Sequence, residues 1–414
     1  MDDSAGDGWQ LVCDLCEASY PLGPMSMGCP RCAERGAIGV LNSVFRPRTA
    51  PPPLGIRHGT GLGRYRDLLP CGAMDGWLSR GEGGTPLIES RHIGPRLGLS
   101  RLLFKYEGSN PTGSFKDRYV CVAINLARAA GYHRIVSSST GNLGVSVAAY
   151  AAAAGMECVI VVPRGAPPRV LDELRGFDAK VVVTSAEQRQ WVFEAIAGRK
   201  DWFPIAATFR RSVQTPVGID GYKTYAYELA EQLGAAPAAM VFPCARGNGL
   251  HGAWKGFCEA MSFGWIDRLP VMVSCQPSGS NSLEVSLQGG ANEPVEVPRR
   301  PSIASSAAEI VSSKFALSAL RESKGAALSA DDVEIVAAQK LLCAEGLLVD
   351  PASALPVACL PRLLQRIKVE PDAPIVCLLT AAGHRWAGVS ASEGAGVIAV
   401  EGPADLDKIP ALMA

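Results

Sequence analysis

The chain carries no net charge: 40 Lys and Arg balance 40 Asp and Glu across 414 residues. That balance excludes the basic footprint of a nucleic-acid binder and the polybasic patch of a membrane-surface protein. Long apolar runs are missing too, since Ala148–Ala154 is short and stopped by Gly155, which excludes a bilayer-spanning segment. Histidine is scarce, at five residues, and none falls in a metal or triad spacing. The start, Met1-Asp2-Asp3-Ser4, has no apolar h-region, so no secretory signal is expected. Internal repeats and low-complexity tracts are absent. Cysteine, by contrast, is plentiful. Thirteen residues, an odd number, include several in apolar segments (Cys121, Cys158, Cys275, Cys377). They read as reduced thiols of a cytoplasmic protein, not as a disulfide framework.

What is present is apolar content of 48%, enough for two ordinary cores. Short β-branched runs alternate with alanine-rich amphipathic ones. Strands are expected at Arg134–Ser137, Cys158–Pro163, Lys180–Thr184, Ala239–Pro243, Val271–Ser274 and Ile375–Thr380, and helices from Asn142, over Lys223–Leu233, Asp331–Glu345 and Ala352–Ile367. Apolar strands separated by helices mean parallel sheets covered on both faces, an α/β fold with ligands collecting at the carboxyl ends of the strands.

Ahead of this pattern, Cys13-x2-Cys16 and Cys29-x2-Cys32 form a four-cysteine signature with twelve residues between the pairs. Gly28 and Pro30 shape the second knuckle, and two such turns suit a tetrahedral structural zinc. Arg31 and Arg35 are outnumbered by Asp14, Glu17 and Glu34, which argues against a nucleic-acid-binding ribbon. A proline-rich linker over 46–53 follows.

The segment Asn110–Arg118 places a lysine in an unfavourable position. Ser114 and Asp117 have the spacing of a capping pair, and Phe115, Val120, Ala123, Ile124 and Ala127 recur at helical intervals. Lys116 is therefore expected in a first helical turn, where the macrodipole disfavours a cation by about 0.3–1 kcal/mol. Either Asp117 offsets a solvated lysine, or the amine serves chemistry with an anionic, phosphate-bearing carbonyl cofactor. Two further turns lie between a strand and a helix. Ser137–Gly144 presents hydroxyls and N–H groups that suit a carboxylate or simply cap a helix. Pro243–Gly252 has closely spaced glycines that let N–H groups wrap a phosphate. Thr380 ends an apolar strand.

Lys105-Tyr106-Glu107 followed by Asn110-Pro-Thr-Gly-Ser-Phe-Lys-Asp-Arg118 resembles the signature of the threonine synthase family, pyridoxal-phosphate (PLP) enzymes of the tryptophan-synthase-β fold type (fold type II). The resemblance runs from about Gly83 to His384 and includes the leading cysteines. It implies a ribbon over 1–45, a lysine-bearing and carboxylate-binding domain over 46–225 and a cofactor-phosphate domain over 226–414. It implies Lys116 as the covalent attachment point and catalytic base, and Asn142 beside the cofactor's 3′-oxygen. The phosphate would lie on Ala245, Arg246, Gly247, Asn248 and Gly249, the pyridine nitrogen at Thr380, and the substrate carboxylate on Ser139 and Thr140. Zinc would be bound by Cys13, Cys16, Cys29 and Cys32, the ribbon being a structural appendage, and the protein would be a homodimer.

The family's Gly-Asn-Gly-Gly-Asn is Ala245–Gly249 here, and Arg246 either joins the cofactor phosphate or faces solvent. Ala381 and His384 also depart from the family's pattern. In the substrate-phosphate segment, here Thr215–Thr224, Lys223 is retained while the matching arginine is Gly218. Arg210, Arg211 or Arg246 are candidates to replace it. The implied reaction converts O-phospho-L-homoserine and water to L-threonine and phosphate. The alternatives are a cysteate-synthase-like or other β- or γ-replacement on an activated amino acid, and a non-catalytic, cofactor-binding regulator.

Overall fold

The computed structural model describes residues 8–46, 54, 59–206 and 215–385. Most of the linker over 46–53, Arg210 and Arg211 lie outside the described residues. Thirteen strands occur in the described chain: β1 (Trp9–Cys13), β2 (Ser19–Pro21), β3 (Leu41–Phe45), β4 (Leu87–Glu89), β5 (Leu102–Tyr106), β6 (Arg134–Ser138), β7 (Glu157–Pro163), β8 (Lys180–Thr184), β9 (Phe203–Ile205), β10 (Ala239–Pro243), β11 (Val271–Pro277), β12 (Ala326–Ala330) and β13 (Ile375–Leu379). They build three sheets. The ribbon contributes an antiparallel β2-β1-β3, and a four-stranded parallel sheet runs β8-β7-β6-β9. A six-stranded sheet runs β12-β11-β10-β13-β5-β4, parallel except for the short edge strand β4.

The strand sequences explain this arrangement. Every residue of β13 is buried, as are the five central residues of β7, so apolar side chains point to both faces and helices cover both. The α/β class expected from the alternating runs is the one observed, and each of the six expected strands forms. The helices Asn142–Ala153, Thr224–Leu233, Asp332–Ala344 and Pro351–Arg366 match expectation to within a residue or two. Strands β4 and β5 join the sheet that β10 to β13 build, so the chain crosses between the two parallel sheets twice, after β5 and before β10.

The helix Lys116–Ala129 occupies the centre of the larger core, with every residue from Asp117 to Ala127 buried. A guanidinium is at the centre of the buried charges there. Arg118 is fully buried and donates through Nε to Glu107 (2.7 Å), through Nη1 to Glu228 and Thr224 (both 2.6 Å), and through Nη2 to Glu107 (2.9 Å), Glu228 (2.9 Å) and Thr85 (3.1 Å). Lys105 completes the set with a 2.7 Å contact to Glu228 and a bond to the Thr85 carbonyl. Two cations thus face two carboxylates. Burial works against the Glu228 carboxylate, but Arg118 and Lys105 hold its pKa far below the usual range. The Lys105-x-Glu107 and Arg118 of the sequence signature are therefore structural partners: they tie the end of β5 and the helix Thr224–Leu233 to the lysine helix. Replacing Arg118 by alanine leaves two buried carboxylates with one cation and should cost about 3–5 kcal/mol, read as a lowered denaturant midpoint. Arg118→Lys should rescue little, because an ammonium cannot reproduce the planar fork.

Candidate active site

Three of the functional turns follow neighbouring strands. The glycine turn leaves β10, Thr380 ends β13, and the lysine loop follows β5, in the order β10-β13-β5. Adjacent strands lie about 4.8 Å apart, so sheet order alone gathers these turns at one edge. Backbone bonds then fix the loop: Phe115 N–H donates to the Thr380 carbonyl (2.9 Å), and Ala382 N–H donates to the Gly113 carbonyl (3.0 Å).

Lys116 opens its helix, as the spacing predicts, but the capping pair does not form. The helix has Phe115 as its N-cap with no side-chain bond, and the buried Ser114 hydroxyl has no hydrogen-bond partner. Asp117 turns inward instead. It accepts from Thr112 N–H (2.7 Å), Thr112 Oγ1 (2.6 Å) and Ser146 Oγ (2.6 Å). The Ser146 bond ties the lysine helix to the helix Asn142–Ala153, and so to the Ser/Thr turn after β6. The Lys116 amine lies 4.2 Å from the centre of the Phe115 ring. Desolvation, with the charge of Arg246 acting in the same direction, lowers its pKa to about 8.

In the glycine turn, Gly247 adopts φ +83°, and a Cβ there would meet Ala316 at 2.3 Å, so a side chain is excluded on both counts. It caps the fifteen-residue helix Asn248–Ser262 without a side-chain bond, leaving the first N–H groups available. Beside them, Asn248 Oδ1 and both ring nitrogens of His251 are buried with no hydrogen-bond partner. An unpaired imidazole N–H at an uncapped helix N-terminus fits a phosphate-bearing group, and this turn supplies both. The Arg246 side chain is paired with Glu309 at 3.4 Å rather than facing open solvent, and its charge is felt at Lys116.

The Ser/Thr turn is similarly open. Gly141 caps the helix Asn142–Ala153 in an extended conformation with no side-chain bond, and Ser139, Thr140 and Asn142 are partly exposed. Ser139 Oγ accepts only a long 3.2 Å bond from Gly141 N–H among the contacts described. Thr380 is buried, its hydroxyl 2.9 Å from Ser353 Oγ. Ser353 and Asp350 are additions the sequence reading missed. Asp350 caps the helix Pro351–Arg366 by accepting from Ser353 N–H at 2.8 Å. The Asp-Pro-x-Ser cap signature at 350–353 was the available signal.

Two positions of the substrate-phosphate segment are engaged elsewhere in the fold. Lys223, expected at the substrate phosphate, is fully buried, donates to both Glu259 oxygens (3.0 Å each) and the Leu68 carbonyl (3.0 Å), and lies beneath Trp9 of the ribbon. Gly218, where the resemblance implies an arginine, has no room for any side chain. A Cβ would lie 2.5 Å from the Tyr119 ring, whose hydroxyl donates to the carbonyls of Ala206 and Thr215 at 2.8 and 3.1 Å.

The four cysteines converge. Their sulfurs lie within 4.8 Å of one another, with Cys13–Cys32 and Cys16–Cys29 both at 3.6 Å. A tetrahedral site with Zn–S near 2.3 Å requires sulfurs about 3.8 Å apart, so the cluster is compatible with a zinc ribbon. Gly39 closes it, since a Cβ there would sit 2.5 Å from Cys13 Sγ.

Residues 78–381 match the family model described as pyridoxal-phosphate dependent enzyme. The chain is 34% identical over 347 residues to a threonine synthase of Mycobacterium tuberculosis, covering 81% of this chain and 91% of that one. It is 32% identical over 382 residues to a threonine synthase of Methanosarcina acetivorans, covering 91% of each. The chain belongs to the threonine synthase family of PLP-dependent enzymes. Among solved structures, maize serine racemase superposes with a TM-score of 0.62 at 22% identity, over 72% of this chain and 88% of that one. Threonine deaminase isoform 2 of Solanum lycopersicum gives 0.63 at 20% identity, over 81% and 95%. These two establish the shared fold. No helix among the described residues is long and apolar enough to cross a membrane.

Two measurements follow. Burial raises the pKa of Asp117 and of Asp350 to about 6, in Asp117 with Glu82 acting in the same direction. A carboxyl that keeps its proton longer when folded stabilises the fold at low pH, and that contribution is lost as pH rises from about 4 to 6. Asp350→Asn should remove this slope, so that its stability relative to the parent improves by up to roughly 3 kcal/mol across that window. Unfolding titrations at several pH values check it. Separately, Gly218→Ala forces a methyl into the Tyr119 ring and should destabilise by about 1–3 kcal/mol in the same assay.

Proposed function

We propose that the protein is a threonine synthase-type lyase that takes O-phospho-L-homoserine and water to L-threonine and phosphate, with Lys116 as its covalent attachment point and base. The observation that carries this reading is the Lys116 amine, with its pKa lowered to about 8, held beside Thr380 by backbone bonds, with the Phe115 ring against Gly249 of the glycine turn. Its contact among the described residues is with the Phe115 ring and not a carboxylate, and an amine that loses its proton near neutrality is the group this chemistry needs. PLP, when bound, supplies an electron sink conjugated to the substrate α-carbon. The glycine turn over Ala245–Gly249 would hold its phosphate, Asn142 its 3′-oxygen and Thr380 its ring nitrogen. A neutral hydroxyl at the ring nitrogen, itself hydrogen-bonded to Ser353, favours elimination over transamination.

The remaining roles fall to residues of this chain. Ser139, Thr140 and the N–H groups of the following helix orient the substrate carboxylate. The freed Lys116 amine accepts the α-proton, passes it on to solvent, and then accepts a β-proton. The Cγ–O bond breaks and phosphate departs with the electron pair. Protons return to Cγ and Cα and the hydroxyl of water adds at Cβ, so substrate plus water equals threonine plus phosphate. Arg246, already sensed by Lys116, is the cation placed to accompany a phosphate here. The four-cysteine cluster would hold one structural zinc, and the protein would act as a homodimer in the cytoplasm.

A second reading has specific support. Lys223 is engaged with Glu259, and Gly218 is closed by Tyr119, so these two positions offer no clamp for a substrate phosphate. A β- or γ-replacement on an amino acid with another leaving group uses the same lysine and the same turns.

Lys116→Ala should abolish borohydride trapping of the cofactor and lower turnover by at least about 10³-fold. Trapped label at another residue, with turnover intact, overturns the assignment. Loading of PLP onto cofactor-free protein should quicken as pH rises through about 8, as the amine deprotonates. Titration with phosphohomoserine, phosphoserine and acetylhomoserine separates the two readings: a spectral shift and threonine formation with the first supports synthase chemistry, and a shift with another alone supports replacement.

A further inference from the structure

The ribbon does not sit on the surface as an appendage. Its third strand, β3, buries Ser43 completely against the catalytic core. Ser43 Oγ donates to Asp220, and Lys255 Nζ donates to the Ser43 carbonyl (2.7 Å), Ser43 Oγ (3.0 Å) and Asp220 (2.7 Å). Trp9 of β1 stacks on Phe45 at 4.5 Å, and the Lys223 ammonium lies 4.5 Å from the centre of the Trp9 ring. Beneath the ribbon, Lys223 and Lys255 face Asp220 and Glu259, a neutral quartet with little or no exposure.

That quartet joins the helix of the glycine turn to a turn packed against it. Asp220 and Lys223 belong to the 3-10 turn Gly218–Lys223, and Lys255 and Glu259 to the helix that starts at the glycine turn. Three glycines bring the backbones into direct contact. A Cβ at Gly221 would lie 2.0 Å from the Arg118 carbonyl, one at Gly252 would lie 2.5 Å from Tyr222 Cβ, and one at Gly256 would lie 2.2 Å from the Lys223 carbonyl. The turn is thus wedged between the Lys116 helix and the glycine-turn helix, and it sets their separation. The ribbon seals the open side of the wedge.

We infer that the ribbon clamps the cofactor site: with its cysteines metallated, β3 holds the Gly218–Lys223 wedge and so fixes the glycine turn relative to Lys116. Ser43 and Trp9 are positioning residues in this arrangement. The affinity arm of the test rests on the PLP reading, whereas the amide-exchange arm does not.

The test uses full-length protein with zinc, the same protein after chelation, and the variants Ser43→Ala and Trp9→Phe. Zinc content, hydrogen–deuterium exchange and PLP affinity by absorbance titration are measured for each. Both variants should keep about one zinc per chain. Exchange should rise in residues 218–223 and 248–256, and in Ser43→Ala PLP should bind about tenfold more weakly, the effect of losing its charge-assisted bond to Asp220, with a smaller effect in Trp9→Phe, which keeps a ring over Lys223. Chelated protein should show the same pattern more strongly. Exchange changes confined to residues 8–46, with PLP affinity unaltered after complete zinc loss, overturn the clamp. If intact protein binds no PLP, the functional reading fails, and the exchange data alone decide the clamp.

Discussion

A fully buried guanidinium is the constraint on which the site depends. Arg118 follows Lys116 by two residues, and its donors reach Glu107, Glu228, Thr85 and Thr224. Taking these charges from water costs several kcal/mol per ion, and only complete pairing in good geometry offsets that. The return is positional. Glu107 fixes the end of β5, Glu228 and Thr224 fix a helix from the other half of the chain, and the lysine helix cannot rotate or slide without leaving a carboxylate unpaired. Lys116 inherits that rigidity. Its amine can be partly desolvated, with a lowered pKa, because the helix that carries it is anchored by charges facing the opposite way.

Much of this was legible in the sequence, for identifiable reasons. Lys116, the glycine turn and Thr380 follow the apolar strands β5, β10 and β13, and strand order in a parallel sheet converts chain position into proximity. The cysteine spacing was legible because two short knuckles permit few other geometries. The roles of Asp117 and Lys223 were not. Spacing places a residue on an element, but its direction depends on what packs against that element. Asp117 has the spacing of a cap partner, yet Thr112 and Ser146 offer three hydrogen bonds on the inner face, and a buried carboxylate takes the best-satisfied position. Lys223 belongs to a recognisable segment, yet Glu259 and Trp9 compete for its ammonium from a part of the chain whose contact with it no local pattern reports.

Gly218 shows how a departure from a family pattern acquires a physical meaning. Viewed alone it is a lost guanidinium. In the fold it is half of a pair, because the Tyr119 ring fills the space a side chain there would need, and its hydroxyl holds the carbonyls of Ala206 and Thr215. An arginine could not be restored at 218 without also removing Tyr119. The segment here is packed around an aromatic side chain. Any anionic leaving group handled here must be met by cations on other elements, of which Arg246 is the one already sensed by Lys116.

The same logic bears on why a module of about forty residues is kept at the start of the chain. A ribbon of three short strands buries too little apolar surface to stand alone, so metal ligation and docking must supply its stability. Docking here joins apolar packing, with Leu11 and Leu41 in the same buried core as Leu62 and Tyr65, to a buried polar set of Ser43, Asp220 and Lys255. Polar burial is costly unless every partner is present, so the interface tolerates one arrangement and penalises slippage. A tether to the core would need only apolar contact. An interface that specifies register, made on the turn between the two helices that define the site, is what a positional element requires.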